Sequence, residues 1–187
     1  MAPGSSELLL SMCRRSMRCA SQIHWIRKVR TNTGRVTPTG FGIPRGQRKI
    51  GCNHVPVMTG GFGKAALREF YSKRFIPSMP PDTKLTPVSR TVGENQLVDE
   101  MIFSFTHTQE MPWMLPGVPP TGRHVEIPLV AVVQFREGKL VHEHIYWDQA
   151  SVLKQIGLLT DAALPVFGAE TARKVLDPAY GTAQTAP

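Results

Sequence analysis

The sequence predicts an α+β domain: one helix, then a mostly antiparallel sheet, then a terminal helix. Three observations carry that expectation. Residues Lys64 to Phe75 place Leu67, Phe70, Tyr71 and Phe75 at helical spacing, one apolar stripe on an amphipathic helix. From Lys84 onward the period becomes strand-like. A long hairpin then closes the run, with Val125 to Phe135 and Lys139 to Trp147 joined by the tight turn Glu137-Gly138. A helix, a series of strands and terminal helices together make an α+β layer arrangement. A strongly curved sheet of this kind encloses a conical hollow where a small ligand can sit.

Order is expected to begin near Ile50. Cys52 to Val57 reads as a short strand whose Pro56 marks an edge or a strand start. Thr59-Gly60-Gly61-Phe62-Gly63 reads as a turn, and Pro77, Pro80 and Pro81 stop the helix that follows. Leu85 to Val92 is a strand, Gly93-Glu94-Asn95 a turn, and Leu97 to Thr108 a stronger strand. Met111 to Leu115 is an apolar loop carrying Trp113. In the hairpin, Val125, Ile127, Leu129, Ala131, Val133 and Phe135 share one parity and are all apolar, so that face lies on the core. Gln149 to Ile156 is helical with Gly157 as its stop, and Ala169 to Leu176 is a last short helix before Pro178. The division expected is a basic leader at 1–49, one domain at 50–160, and a short helix with a loose tail at 161–187.

The formal charge of +8 invites a nucleic-acid reading, but its distribution argues against one. Residues 1–50 hold ten Lys and Arg against the single acid Glu7, whereas residues 51–187 hold twelve basic and thirteen acidic side chains. The basic character belongs to the leader, and a folded nucleic-acid reader would carry it on its own surface. An Arg-rich, acid-poor leader has the composition of an organelle transit peptide or of a basic arm. No apolar run approaches the ~20 residues of a membrane helix. Cys13, Cys19 and Cys52 form no disulfide framework, which points to a reducing compartment. The expected location is cytoplasmic, or mitochondrial if the leader is a transit peptide.

The chemistry-bearing residues collect on the second hairpin strand: His142, Glu143, His144, Tyr146, Trp147 and then Asp148. His142, His144 and Tyr146 share one parity, Glu143 and Trp147 the other, and either choice turns something ionisable inward. His-x-His on a strand face can chelate a metal, but the remainder of a metal motif is missing, so no metal site is expected. Asp148 stands between a strand and a helix, where it is either an N-cap or a buried acid–base group. His107 is a strand histidine with two readings, structural or catalytic. Asp99 and Glu100 point to opposite faces, so one of them lines the hollow. Trp113 stands where it either packs on the sheet or edges the cavity mouth.

The stretch GVPPTGRHVEIPLVAVVQFREGKLVHEHIYWDQASVLKQIGLL resembles the C-terminal half of the SnoaL-like polyketide cyclase family, within the nuclear transport factor two-like superfamily. The matching parts are Gly117 to Glu126, Phe135 to Leu140, Trp147-Asp148 and Gln155-Ile156-Gly157. A weaker likeness runs back through Phe103 to His107 and the Gly63 to Tyr71 helix, to about Asn53. The resemblance implies a cone-shaped α+β barrel, and a cofactor-free acid–base reaction on a small, apolar carbonyl compound, as a cyclase, isomerase or lactone-processing enzyme. It implies Asp148 as the general acid/base with His107 as its partner. His142, Glu143, His144, Tyr146, Trp147, Asp99 and Trp113 would contact substrate. Some relatives are called carboxymethylenebutenolidase-like, yet the nucleophile elbow G-x-[SC]-x-G of that hydrolase is missing here. Family members usually begin with two helices, one lidding the cone; residues 1–50 show no amphipathic pair, so those helices are lost, the region is badly divergent, or the gene model is wrong there. The expected partner is a small-molecule substrate, with neither nucleic acid nor membrane, and a second copy pairing through the sheet. The other reading is a non-catalytic ligand-binding or dimerisation module.

Overall fold

The fold is known from a computed structural model, which describes residues 50–136 and 139–181. The leader, the hairpin turn Glu137-Gly138 and the last six residues lie outside the described residues. Six strands form one sheet in the order β2-β1-β6-β5-β4-β3. They are β1 (Gly51–His54), β2 (Thr59–Phe62), β3 (Lys84–Val92), β4 (Gln96–Thr106), β5 (His124–Arg136) and β6 (Lys139–Trp147). All neighbours are antiparallel except β1 and β6, which run parallel. The expected α+β architecture is the one observed.

The first segment departs from its sequence reading. β1 ends at His54, and Pro56 opens a 3₁₀ turn over Val55–Val57, where its missing N–H costs nothing. The expected turn at Thr59 to Gly63 is instead β2, paired antiparallel with β1. Its glycines are there for close approach. Gly60 sits at φ 140, and a Cβ on it would stand 2.0 Å from the Cys52 carbonyl oxygen. Only a residue without a side chain lets the two strands meet.

The amphipathic helix is α1 (Lys64–Glu69), which widens into a π-helical turn over Phe70–Phe75. The wider turn carries Phe70, Tyr71 and Phe75 against the sheet, where their rings meet in pairs at 5.4 to 5.9 Å between centroids. α2 (Gln149–Gln155) follows β6 directly, and α3 (Glu170–Leu176) closes the described chain. Among the described residues, no helix is long and apolar enough to cross a membrane.

The β4–β5–β6 registers decide which parity faces inward. Val125, Ile127, Leu129, Ala131 and Val133 of β5 are all buried, as their apolar alternation predicts. Opposite them on β6 stand Trp147 (Leu129), Ile145 (Ala131) and Glu143 (Val133). Opposite them on β4 stand Phe105, Phe103, Met101, Asp99 and Leu97. The inner face of the cone therefore carries Asp99, Glu143 and Trp147. His142, His144 and Tyr146 lie on the other face. The loop from Met111 to Leu115 packs on that inner face, with Met111, Trp113, Met114 and Leu115 buried and the Trp113 ring against Phe103 and Trp147.

Candidate functional site

Three polar side chains meet inside the cone. Glu143 on β6 lies beside Cys52 of β1 by register, and Tyr71 comes from the π-helical turn. The Tyr71 hydroxyl donates to Glu143 Oε2 at 3.1 Å. The Cys52 thiol acts on the titration of both. Burial raises the Glu143 pKa above the ordinary carboxylate range, with the Asp99 charge adding to the rise; its bonds to Tyr71 and Cys52 oppose it. Burial and the Glu143 charge push the Cys52 thiol up to about 12 and raise the Tyr71 phenol as well. At neutral pH this cluster holds one carboxyl group and two neutral hydrogen-bond donors.

Asp99 faces the same interior, but it is held by a cation. Arg90, its cross-strand neighbour on β3, donates Nη2 to Asp99 Oδ2 at 2.7 Å and Nε to Oδ1. That fork anchors the Asp99 carboxyl group.

Deeper in the cone lies His54, two residues beyond Cys52 on β1 and 1 % exposed. Its ring is surrounded by those of Trp113 at 5.0 Å, Phe70 and Phe75 at 5.5 Å, and Trp147 at 5.6 Å. Neither of its nitrogens has a hydrogen-bond partner among the described residues, and the Trp113 indole N–H has none either. Burial pushes the His54 imidazole down to about 4.

The residues that the resemblance paired as acid and base do not come together. Asp148 is exposed and caps α2: its Oδ1 accepts from the backbone N–H of Ala150 at 2.9 Å and Ser151 at 3.2 Å. Of the two readings open for that carboxylate, the geometry supports the cap. His107 is fully buried just past the end of β4, with Nδ1 3.2 Å from the Thr121 hydroxyl. Its backbone N–H donates to Arg123 O and its carbonyl accepts from Gly122 N, both at 2.9 Å, so it pins the loop between β4 and β5. No hydrogen bond or ion pair joins Asp148 to His107 among the described residues.

The remaining expectations divide by face. Trp147 and Trp113 line the interior as buried rings, with Trp147 Nε1 donating to Gln149 Oε1 at 2.9 Å. His142, His144 and Tyr146 lie on the outer face, because the register with β5 fixes the parity of β6. There the two imidazoles stack at 4.6 Å, beside a shallow cavity of about 370 Å³ that Gly51, Asn53 and Gly60 also line. No group of three or more His, Cys, Asp or Glu side chains placed to hold a metal ion occurs among the described residues. Sequence reading missed Cys52, His54 and Tyr71 as members of the site. Cys52 and His54 do share one strand parity, and Tyr71 is the polar member of an otherwise apolar stripe.

The model of the SnoaL-like polyketide cyclase family matches residues 49–156, more than half of the chain. The chain belongs to that family. The SnoaL-like match runs from β1 to the end of α2 and so contains every residue of the cone described above. No curated protein matches. Among solved structures, a SnoaL-like polyketide cyclase from Jannaschia is 18% identical, with 63% of this chain and 72% of that one covered at a TM-score of 0.46. An NTF2-like protein of unknown function from Burkholderia pseudomallei is 14% identical, with 77% and 96% covered at 0.45. TsrD from Streptomyces laurentii is 23% identical at 0.40, with 51% of this chain covered, and the chain spans 63% of TsrD's length.

Proposed function

We propose that this SnoaL-like protein moves a proton to and from a carbon next to a carbonyl group, with Glu143 as the general base and acid. The substrate is a small, largely apolar carbonyl compound, and the outcome is ring closure or isomerisation. The observation that carries the reading is the carboxyl of Glu143 inside an aromatic-sided cone, its pKa raised by burial and its Oε2 accepting from Tyr71. A carboxylate in water is too weak a base to take a carbon-bound proton. One whose pKa rises toward the working pH is better matched to that task.

In the step envisaged, the Glu143 carboxylate takes the α-proton. The C–H electron pair becomes the enolate double bond, and the carbonyl π pair moves onto oxygen. In a cyclase the enolate carbon then bonds to a second carbonyl carbon of the same molecule, whose oxygen receives a proton. Tyr71 and Cys52 remain neutral throughout and steady whichever charge Glu143 carries. Proton transfer between carbon and a carboxylate is chemistry that proceeds without a cofactor. The Asp99 carboxyl group, tied to Arg90, adds to the burial that favours the protonated form of Glu143.

The test uses β-tetralone, a small planar ketone with acidic α-hydrogens, in deuterated buffer at neutral pH. Wild-type protein should speed deuterium uptake seen by NMR, and Glu143→Gln should lose roughly 100-fold or more of that acceleration, the range of a positioned acid–base group. Equal rates in the two proteins would overturn the assignment. A second reading, a binding module of the same shape, draws on the crowded interior, where Phe75 and Trp113 rings stand 4.7 Å apart. Wild-type protein that binds a planar ketone without exchanging its hydrogens would favour that reading.

A further inference from the structure

His54 is a titratable group, 1 % exposed, that the chemistry above leaves unused. Both of its ring nitrogens and the indole N–H of Trp113 lie buried with no hydrogen-bond partner among the described residues. Their rings are 5.0 Å apart. Unpartnered buried donors are unfavourable, and folds accept them mainly at sites where something else completes the bonding. A packing role alone would be served better by phenylalanine, since four aromatic rings already surround the imidazole.

We propose that His54 and Trp113 form the carbonyl-oxygen subsite of the cone, holding the oxygen of a ketone or of its enolate while Glu143 acts on the adjacent carbon. The proposal rests on the reading of Glu143 as the base. The spacing supports it. β1 and β6 run parallel with Cys52 beside Glu143 and His54 beside Ile145, so the imidazole lies one strand repeat further into the cone. Two residues along a strand advance roughly 7 Å. A carbonyl unit bridging base and donor needs a similar reach, roughly 8 Å, made of a proton-transfer contact, the C–C=O span and a hydrogen bond of about 2.8 Å.

The electronic state is suited as well. Burial pushes His54 down to about 4, so at neutral pH its ring is uncharged and carries one N–H. A neutral imidazole polarises a carbonyl and donates to the forming enolate oxygen without giving up its proton. Trp113 supplies a donor that cannot titrate. Both stay fixed while negative charge moves from the Glu143 carboxylate to the substrate oxygen, which is the arrangement that stabilises such a transition state.

The experiment measures binding of β-naphthol, the aromatic counterpart of the β-tetralone enolate, by calorimetry, together with β-tetralone exchange. His54→Phe should bind β-naphthol at least 10-fold more weakly and lose roughly 100-fold of the exchange acceleration, the scale of one oxyanion donor. Its melting temperature should match or exceed that of wild type, because an apolar ring replaces unpartnered nitrogens. Trp113→Phe should weaken binding in the same direction. Glu143→Gln should still bind β-naphthol while losing exchange, which separates the two proposals. His54→Phe that binds and exchanges like wild type would overturn the subsite and leave the Glu143 reading standing. Wild-type protein without exchange, whose β-naphthol binding still depends on His54, would remove the Glu143 reading and leave the subsite. Should His54→Phe fail to fold, wild-type protein with ¹⁵N-labelled histidine decides: a His54 ring signal unmoved by saturating β-naphthol overturns the proposal.

Discussion

The Tyr71 hydroxyl donates to Oε2 of Glu143 at 3.1 Å, joining the π-helical turn after α1 to β6 across 72 positions of sequence. This bond favours the ionised carboxylate, while burial favours the protonated one and prevails. The balance sets the pH at which Glu143 becomes a base.

Removing that donor has a definite sign. Tyr71→Phe leaves burial in place and takes away a bond to the charged form, so the Glu143 pKa should rise further. The pH–rate profile for β-tetralone exchange should move to higher pH, and the rate at neutral pH should fall roughly 10-fold, as for the loss of a hydrogen bond to a charged group. A profile that stays in place would show that Tyr71 does not act on Glu143.

Acid should unfold this protein through His54. Its pKa is lowered on folding from 6.5 to about 4, so the unfolded chain takes up the proton first as pH falls. Stability is whole above pH 6.5 and is lost progressively down to about 4, a change of about 3 kcal/mol at ~1.4 kcal/mol per unit. Urea denaturation at pH 7 and at pH 4.5 should show this loss in wild type, and His54→Phe should show less of it.

Asp148 should behave as a cap. Asp148→Ala should destabilise the domain by about 1 kcal/mol in denaturant melts. Asp148→Asn, which keeps an accepting oxygen for the N–H groups of Ala150 and Ser151, should exchange β-tetralone at the wild-type rate. Loss of exchange in a folded Asp148→Asn would return that residue to the chemistry.

Cys52 should resist alkylation. Its thiol is buried and pushed up to about 12, so almost none is thiolate at neutral pH. Iodoacetamide on native protein, followed by peptide mass spectrometry, should leave Cys52 unmodified until denaturant is added. Rapid native labelling would contradict the protected state.

The fold was legible because alternation and spacing are local. The apolar parity of Val125 to Val133 named the core face of β5, and the stripe through Leu67 and Phe70 named the helix. Residues 59–63 misled, since Gly-Gly signals a turn and a tight strand contact alike, and only the nearness of the Cys52 carbonyl separates the two. The site was half legible. β6 was recognisable as its wall, yet the parity of Glu143 against His142 and His144 depends on which strand pairs with it and in what register.

The amino-acid sequence alone determined the strand and helix pattern, the confinement of positive charge to the leader, and the resemblance that places residues 49–156 in their family. Tertiary structure decided which ionisable groups share the interior. A carboxylate's role follows from its solvation and neighbours, and these come from segments far apart in the chain. Asp148, next to an aromatic strand end, is left in water as a helix cap. Glu143, five positions earlier, is half-buried beside Tyr71 and Cys52, because β1 pairs with β6 and the π-helical turn brings Tyr71 to its carboxyl.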